Sequence, residues 1–145
     1  MDLEISDRKM KGIVIACHGD LADGFVSAAE MILGEVDNVS AVSVDVTQEP
    51  ETIQDTIREA IRSVDQNDGV FILTDLFGGT PANVSLSFLE PNRVEIITGI
   101  NLPLVIKLLK DREKYPMEEL KVKLIQSAVK NILNPSDVLN VGKSK

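Results

Sequence analysis

The chain has one histidine and one cysteine, and they stand side by side in IACHGD as Cys17 and His18. A histidine at the end of a β-like run has four uses: metal ligand, proton acceptor, carrier of a transferred group, or packing. A metal site fits poorly, because adjacent strand side chains point to opposite faces and no second histidine or cysteine completes a ligand set. Proton transfer and group transfer both need a partner for the ring. The segment TDLFGGTPAN supplies a candidate in Asp75, which follows another β-like run.

That second segment carries its own chemistry. Gly78 and Gly79 let the backbone take angles barred to other residues and approach a ligand closely. They lead into a helix start at Thr80-Pro81, where free N–H groups and the helix dipole favour an anion. Either loop alone would pass as a tight turn, and Asp75 alone as a turn cap. Together, a histidine, an aspartate and an anion-friendly helix start suggest a phosphoryl group carried on histidine. A carboxylate on one ring nitrogen fixes the tautomer, aims the other nitrogen at phosphorus, and stabilises the charged ring after transfer.

Other chemistries lack their residues. The lysine of a G-x-x-x-x-G-K-[ST] nucleotide loop is missing, as is a G-x-S-x-G nucleophile elbow. A phosphoaspartyl receiver would want an acidic cluster after the first strand, where only Asp20 follows His18-Gly19. Cys17 reads as a small inward-facing apolar residue.

The elements that must position these residues alternate. Residues 12–16, 40–46, 69–74 and 93–98 are short, rich in β-branched residues and flanked by turn formers, as strands are. Between the first two, Leu21, Phe25, Ala28, Ala29 and Ile32 form one helical stripe; Ile53, Ile57, Ala60, Ile61 and Val64 form another. The first helix runs from Asp20 as N-cap to Gly34, and the second starts near Pro50 with Glu49 and Glu51 at its positive end. Thr80 as N-cap opens a third, and Asn101 or Leu102 before Pro103 a fourth. MEELKVKLIQSAVKNIL is the fifth, and SDVLNV is expected as a last short strand.

This alternation reads as α/β, a mostly parallel sheet with helices on both faces and right-handed crossovers. In such sheets ligands bind at the carboxyl ends of the strands, where the order reverses. For the doubly wound order 2-1-3-4 that crevice lies between strands one and three. His18 and Asp75 then become neighbours although far apart in the sequence.

At 145 residues the chain is expected to be one domain, with its core over about 11–141. The first eleven residues and the final GKSK are expected to fray. The apolar fraction of 43% and charged fraction of 26% are ordinary for a globular protein. No apolar run approaches the roughly 20 residues that span a bilayer, and the N-terminus lacks the apolar core of a secretory signal. A cytoplasmic location is expected, in keeping with a single cysteine. Fifteen Lys and Arg against 23 Asp and Glu give a net charge of −8, which disfavours nucleic acid and anionic membranes and suits a basic protein partner.

Three blocks, GIVIACHGDLADGFVSAAEMILGE, TDLFGGTPAN and ITGINLPLVIKLL, together resemble the enzyme IIA domain of the mannose-type sugar phosphotransferase system. The resemblance runs from about Lys11 to about Leu139. It implies that His18 is phosphorylated on Nε2, that Asp75 bonds the other ring nitrogen, and that Phe77 and Gly78-Gly79-Thr80-Pro81 match the family's aromatic position and loop. Gly19, Asn101 and Pro103 would line the same crevice. Cys17 departs from the family's usual Ser or Thr.

The resemblance also implies a phosphoryl carrier loaded by the protein HPr and discharged to enzyme IIB. No cofactor or metal is expected, because the donor phosphoramidate is already activated. Contact with the membrane would be indirect, through the transporter. A homodimer is implied too, with an antiparallel strand exchanged between subunits and SDVLNV as its candidate. No enzyme IIB segment follows, so the next carrier is expected on a separate chain. Two alternatives use the same histidine: a binding module phosphorylated as a regulatory signal, and the phosphoryl donor subunit of dihydroxyacetone kinase. In the latter branch the histidine is generally followed by Ser, and the second loop differs.

Overall fold

The computed structural model describes residues 9–140. In chain order the elements are β1 (Gly12–His18), α1 (Leu21–Leu33), β2 (Val39–Val44), α2 (Pro50–Val64), β3 (Val70–Thr74), α3 (Thr80–Ser85), β4 (Val94–Thr98), α4 (Leu102–Asp111), α5 (Met117–Lys130) and α6 (Pro135–Leu139). A short 3-10 turn, Leu86–Phe88, extends α3. The four strands form one sheet in the order β2-β1-β3-β4, every neighbour parallel. Fold class, sheet order and helices on both faces are therefore as the sequence predicts.

Strand alternation divides the core in two. On one face Ile13, Ile15, Cys17, Phe71 and Leu73 pack against Ala22 and Ala29 of α1, Leu104 and Leu108 of α4, and Leu120 and Leu124 of α5. On the other face Val14, Ala16, Val42, Val70 and Ile72 pack against Ile53, Ile57, Ala60 and Val64 of α2. Strands buried on both sides read as continuous apolar runs, which is why GIVIA and VFILT carry no polar alternation. Each buried Ile, Leu or Phe adds about 1.5–3 kcal/mol of transfer free energy to holding the sheet rigid beneath the site.

Register places the chemistry. Gly12 pairs with Val70 and Ala16 with Thr74 on one side of β1, while His18 pairs with Val44 on the other. Because β1 runs two residues past the end of the β1–β3 ladder, His18 stands beyond that ladder, still paired with β2, where the chain leaves Thr74 for Asp75.

Four expectations need correction. The face of α1 that packs on the sheet carries Ala22 and Ala29, with Phe25 and Val26 partly covered. Leu21 (45% exposed) and Ile32 (59%) flank it in solvent, because two alanines seven residues apart let the helix lie close to the sheet. The third helix begins one residue earlier than expected: the carbonyl of Gly79, not Thr80, accepts the first helical bond, from Asn83 N–H at 2.9 Å.

Lys11 is not frayed. It is only 5% exposed, its ammonium donating to the Arg112 carbonyl at 3.1 Å and pairing with Asp68 at 3.4 Å. Residues 1–8 and 141–145, which include GKSK, lie outside the described residues. The expected strand SDVLNV is helical through Leu139 instead. Asn134 Oδ1 accepts from Ser136 N–H at 3.0 Å and from its hydroxyl at 2.6 Å, and Pro135 sits in the first turn. Those residues spell a helix start, and a helix satisfies its own backbone groups where a strand requires a neighbour.

Candidate functional site

His18 ends β1 and Asp75 follows β3. Their side chains meet, with His18 Nδ1 3.0 Å from Asp75 Oδ2, and the same oxygen accepts the His18 backbone N–H at 3.1 Å. The His18 side chain is 37% exposed and that of Asp75 13%. Burial alone would raise the Asp75 pKa, but the hydrogen bonds from the His18 ring and backbone outweigh it and hold the carboxyl below its ordinary range. Asp75 is thus a carboxylate at neutral pH, and a carboxylate only accepts. The Nδ1 atom therefore carries a proton, so in the neutral ring the lone pair is on Nε2.

The loop from Leu76 to Thr80 closes the other side. Gly79 N–H donates to the Leu76 carbonyl at 3.1 Å, forming a turn with Gly78 at φ +85, a value that favours glycine. Asn83 Nδ2 braces this turn by donating to the Gly78 carbonyl at 3.1 Å. Gly79 rests directly against the imidazole: a Cβ there would stand 2.7 Å from His18 Cε1 and 3.3 Å from Nε2. Thr80, half-buried, opens α3, while Leu76 and Phe77 (80% exposed) present apolar side chains to solvent beside the site.

On the far side of His18, Gly19 turns the chain at φ +55 and donates its N–H to the Val44 carbonyl at 3.1 Å. A pocket of ≈ 430 Å³ opens there, lined by His18, Gly19 and Asp20 together with residues 43–46 at the end of β2. Its rim is acidic. Two hydrogen bonds from Thr47, hydroxyl and backbone N–H, hold the Asp45 carboxyl below its usual range. The β2 end is the part of the site that the motifs did not reveal; the strand order 2-1-3-4 was its only signal, because it makes β2 the other neighbour of β1.

Two sequence candidates have structural surroundings of their own. Asn101 caps α4 by accepting from Leu104 N–H at 3.1 Å and donates Nδ2 to the Ala128 carbonyl of α5 at 3.0 Å, so both ends of its amide are engaged in joining helices. Pro103 follows in the first turn of α4. Cys17 is fully buried, and burial together with the Asp75 charge pushes its thiol up to about 12, against a smaller opposing effect of the Asp75 backbone N–H. It is a neutral thiol, neither nucleophile nor ligand. Among the described residues no three His, Cys, Asp or Glu side chains are grouped to hold a metal ion.

The arrangement offers a partly exposed imidazole whose Nε2 can act as a nucleophile, with Nδ1 held as a donor by Asp75 and a glycine turn against the ring edge. Comparison with known proteins points the same way. The family model described as "PTS system fructose IIA component" matches residues 12–125. The "PTS system fructose-specific EIIA component" of Bacillus subtilis (strain 168) is 32% identical over 112 residues, 77% of each chain. The "PTS system mannose-specific EIIAB component" of Escherichia coli (strain K12) is 32% identical over 105 residues, 72% of this chain but 32% of that longer protein. The crystal structure of phosphotransferase system component EIIA from Streptococcus agalactiae matches with a TM-score of 0.79 at 26% identity, covering 88% of this chain and 99% of that one. A parallel sheet that sets a single histidine against an aspartate, in a chain matched along most of its length by these proteins, belongs to the mannose-type EIIA family, the sugar phosphotransferase system's EIIA components.

Proposed function

We propose that this chain is a phosphoryl carrier that takes a phosphoryl group from phospho-HPr onto His18 Nε2 and passes it to a histidine of enzyme IIB. The observation that carries the reading is the Asp75 carboxylate on His18 Nδ1, which leaves Nε2 as the free nucleophilic atom. In the first transfer the Nε2 lone pair attacks phosphorus in line. The N–P bond of the donor breaks, and its electron pair returns to the donor's ring. His18 then carries a new N–P bond and keeps the proton on Nδ1, so the ring holds a positive charge that Asp75 offsets. In the second transfer the acceptor histidine attacks the same phosphorus and His18 leaves as a neutral ring.

Such a step needs little beyond alignment and charge compensation. Gly78, Gly79 and Thr80, with Gly19 opposite, form the backbone wall near which the phosphoryl oxygens would lie. Phe77 and Leu76, exposed beside the site, suit the apolar centre of a transient docking surface, and the acidic rim suits a basic partner. A homodimer belongs to the same proposal, supported by the apolar side chains of Val122, Ile125 and Val129 exposed along α5. The chain would work in the cytoplasm; among the described residues no helix is long and apolar enough to cross a membrane.

The test is intact-mass analysis after incubation with phosphoenolpyruvate, enzyme I and HPr, followed by a chase with enzyme IIB. One acid-labile phosphoryl group on His18 that discharges to enzyme IIB is the expected result. Loading without discharge would favour a regulatory module. No loading of folded protein would remove the carrier reading altogether.

A further inference from the structure

The two glycines of the loop are glycine for different reasons. Gly78 has φ +85 and nothing within 4 Å of where a Cβ would be, so its requirement is conformational. Gly79 has φ −78 and ψ 167, extended backbone that any residue adopts. What bars a side chain at Gly79 is His18: a Cβ would meet Cε1 at 2.7 Å, closer than such atoms approach, and crowd Nε2 and the Leu76 carbonyl, each at 3.3 Å.

We propose that Gly79 is the positioning residue for the His18 imidazole, its bare Cα forming the wall against which the Cε1–Nε2 edge of the ring is set. A histidine whose side chain is 37% exposed is ordinarily free to change rotamer. Here it is held from two sides. Asp75 Oδ2 tethers Nδ1 at 3.0 Å, but one hydrogen bond leaves the ring free to swing about that contact. The Gly79 backbone stops the swing, and it is itself fixed by the Leu76–Gly79 turn at 3.1 Å and by the Asn83 bond to Gly79 at 2.9 Å. Because the wall is a Cα and not a side chain, it sets the ring without the Cβ that would stand 3.3 Å from Nε2. A methyl group there forces a shift, and the imidazole, at the end of its side chain, gives way more readily than the hydrogen-bonded backbone of the turn; tilting the ring stretches the bond to Asp75.

The consequence for transfer rests on the carrier reading above; the consequence for the ring does not. In the unmodified protein, the His18 Hε1 proton should show a nuclear Overhauser contact to the Gly79 Hα protons. In Gly79→Ala, whose backbone angles are ordinary, the melting temperature should change little. The imidazole 15N shifts should move from a single Nδ1–H tautomer toward a mixture. Loading from phospho-HPr should slow by roughly 10- to 100-fold, as expected when a reacting group is misplaced by about 1 Å, with KM for the donor nearly unchanged.

Absence of the Overhauser contact overturns the proposal whatever the variant does, including failure to fold. So does a Gly79→Ala protein with wild-type 15N shifts, even if its loading is impaired. If the unmodified protein does not load at all, the carrier reading fails, while the ring contact and the 15N shifts still decide the role of Gly79.

Discussion

Asp75 Oδ2 accepts twice from His18, from the ring Nδ1 at 3.0 Å and from the backbone N–H at 3.1 Å, across 57 positions of sequence. The backbone bond ties the carboxylate to the end of β1 whether or not a ring is present. The acceptor is therefore in place before the imidazole is, and removing the imidazole should not release it. We expect His18→Ala to abolish phosphoryl loading while leaving the melting temperature within a few degrees of wild type. Continued labelling of that variant would place the phosphoryl group elsewhere.

Asp75→Asn separates charge from shape. An asparagine is the same size, but its amide offers Nδ1 either an acceptor or a donor, so the tautomer is no longer forced. The charge that would offset a phosphorylated ring is lost as well. Transfer from phospho-HPr should slow roughly a hundredfold, the range for loss of a positioned acid–base partner. Rapid-quench rates for the two proteins decide it, and an unchanged rate would leave Asp75 a structural residue.

Much of this site was legible in the sequence because parallel sheets put chemistry at predictable places. GIVIA and VFILT announced strands buried on both faces, and the loops after them had to meet if the order was 2-1-3-4, as it is. What stayed hidden depends on packing rather than pattern. The stripe Leu21, Phe25, Ala28, Ala29, Ile32 shares Ala29 and Phe25 with the face that packs on the sheet, but Ala22 joins that face while Leu21 and Ile32 point to solvent. The segment SDVLNV has strand-forming residues, yet the Asn134 side chain and Pro135 start a helix there. The role of Asn101 turned on a carbonyl 27 positions away, at Ala128, which no local motif could indicate.

The conformational glycine should behave unlike its neighbour. At φ +85 an alanine in place of Gly78 would meet no neighbouring atom but would crowd its own backbone. The cost of a left-handed conformation is about 1–2 kcal/mol for an L-residue. Gly78→Ala should lower the urea midpoint accordingly, without the change in imidazole 15N shifts expected at Gly79. A midpoint equal to wild type would mean the turn re-forms with other angles.

Cys17 should be silent in the folded protein. With its thiol pushed up to about 12, roughly one molecule in ten thousand is thiolate at pH 8, and the sulfur is fully buried. Iodoacetamide at pH 8 should leave native protein unlabelled by mass and label the urea-unfolded chain at once. Rapid labelling of native protein would show that the end of β1 opens readily.

Asp111 gives the acid dependence of stability its clearest sign. Its carboxyl is nearly buried and pairs with Lys107 Nζ at 2.8 Å and Lys114 Nζ at 3.4 Å. The Lys107 hydrogen bond outweighs burial and holds the folded pKa below the ordinary 3.8. Between the folded and unfolded values the unfolded chain binds the proton and the folded protein does not. The stabilisation is therefore complete above the unfolded value and is lost as pH falls through the folded one. Asp111→Asn should be less stable than wild type at pH 7, by a modest amount because both lysines reach solvent. The gap should close as the pH is lowered below 3.8, and it should narrow at pH 7 when salt is raised. Urea midpoints for the two proteins across this range test the assignment. A gap that stays constant with pH would mean that Asp111 stabilises by shape and hydrogen bonding alone, with no contribution from its charge.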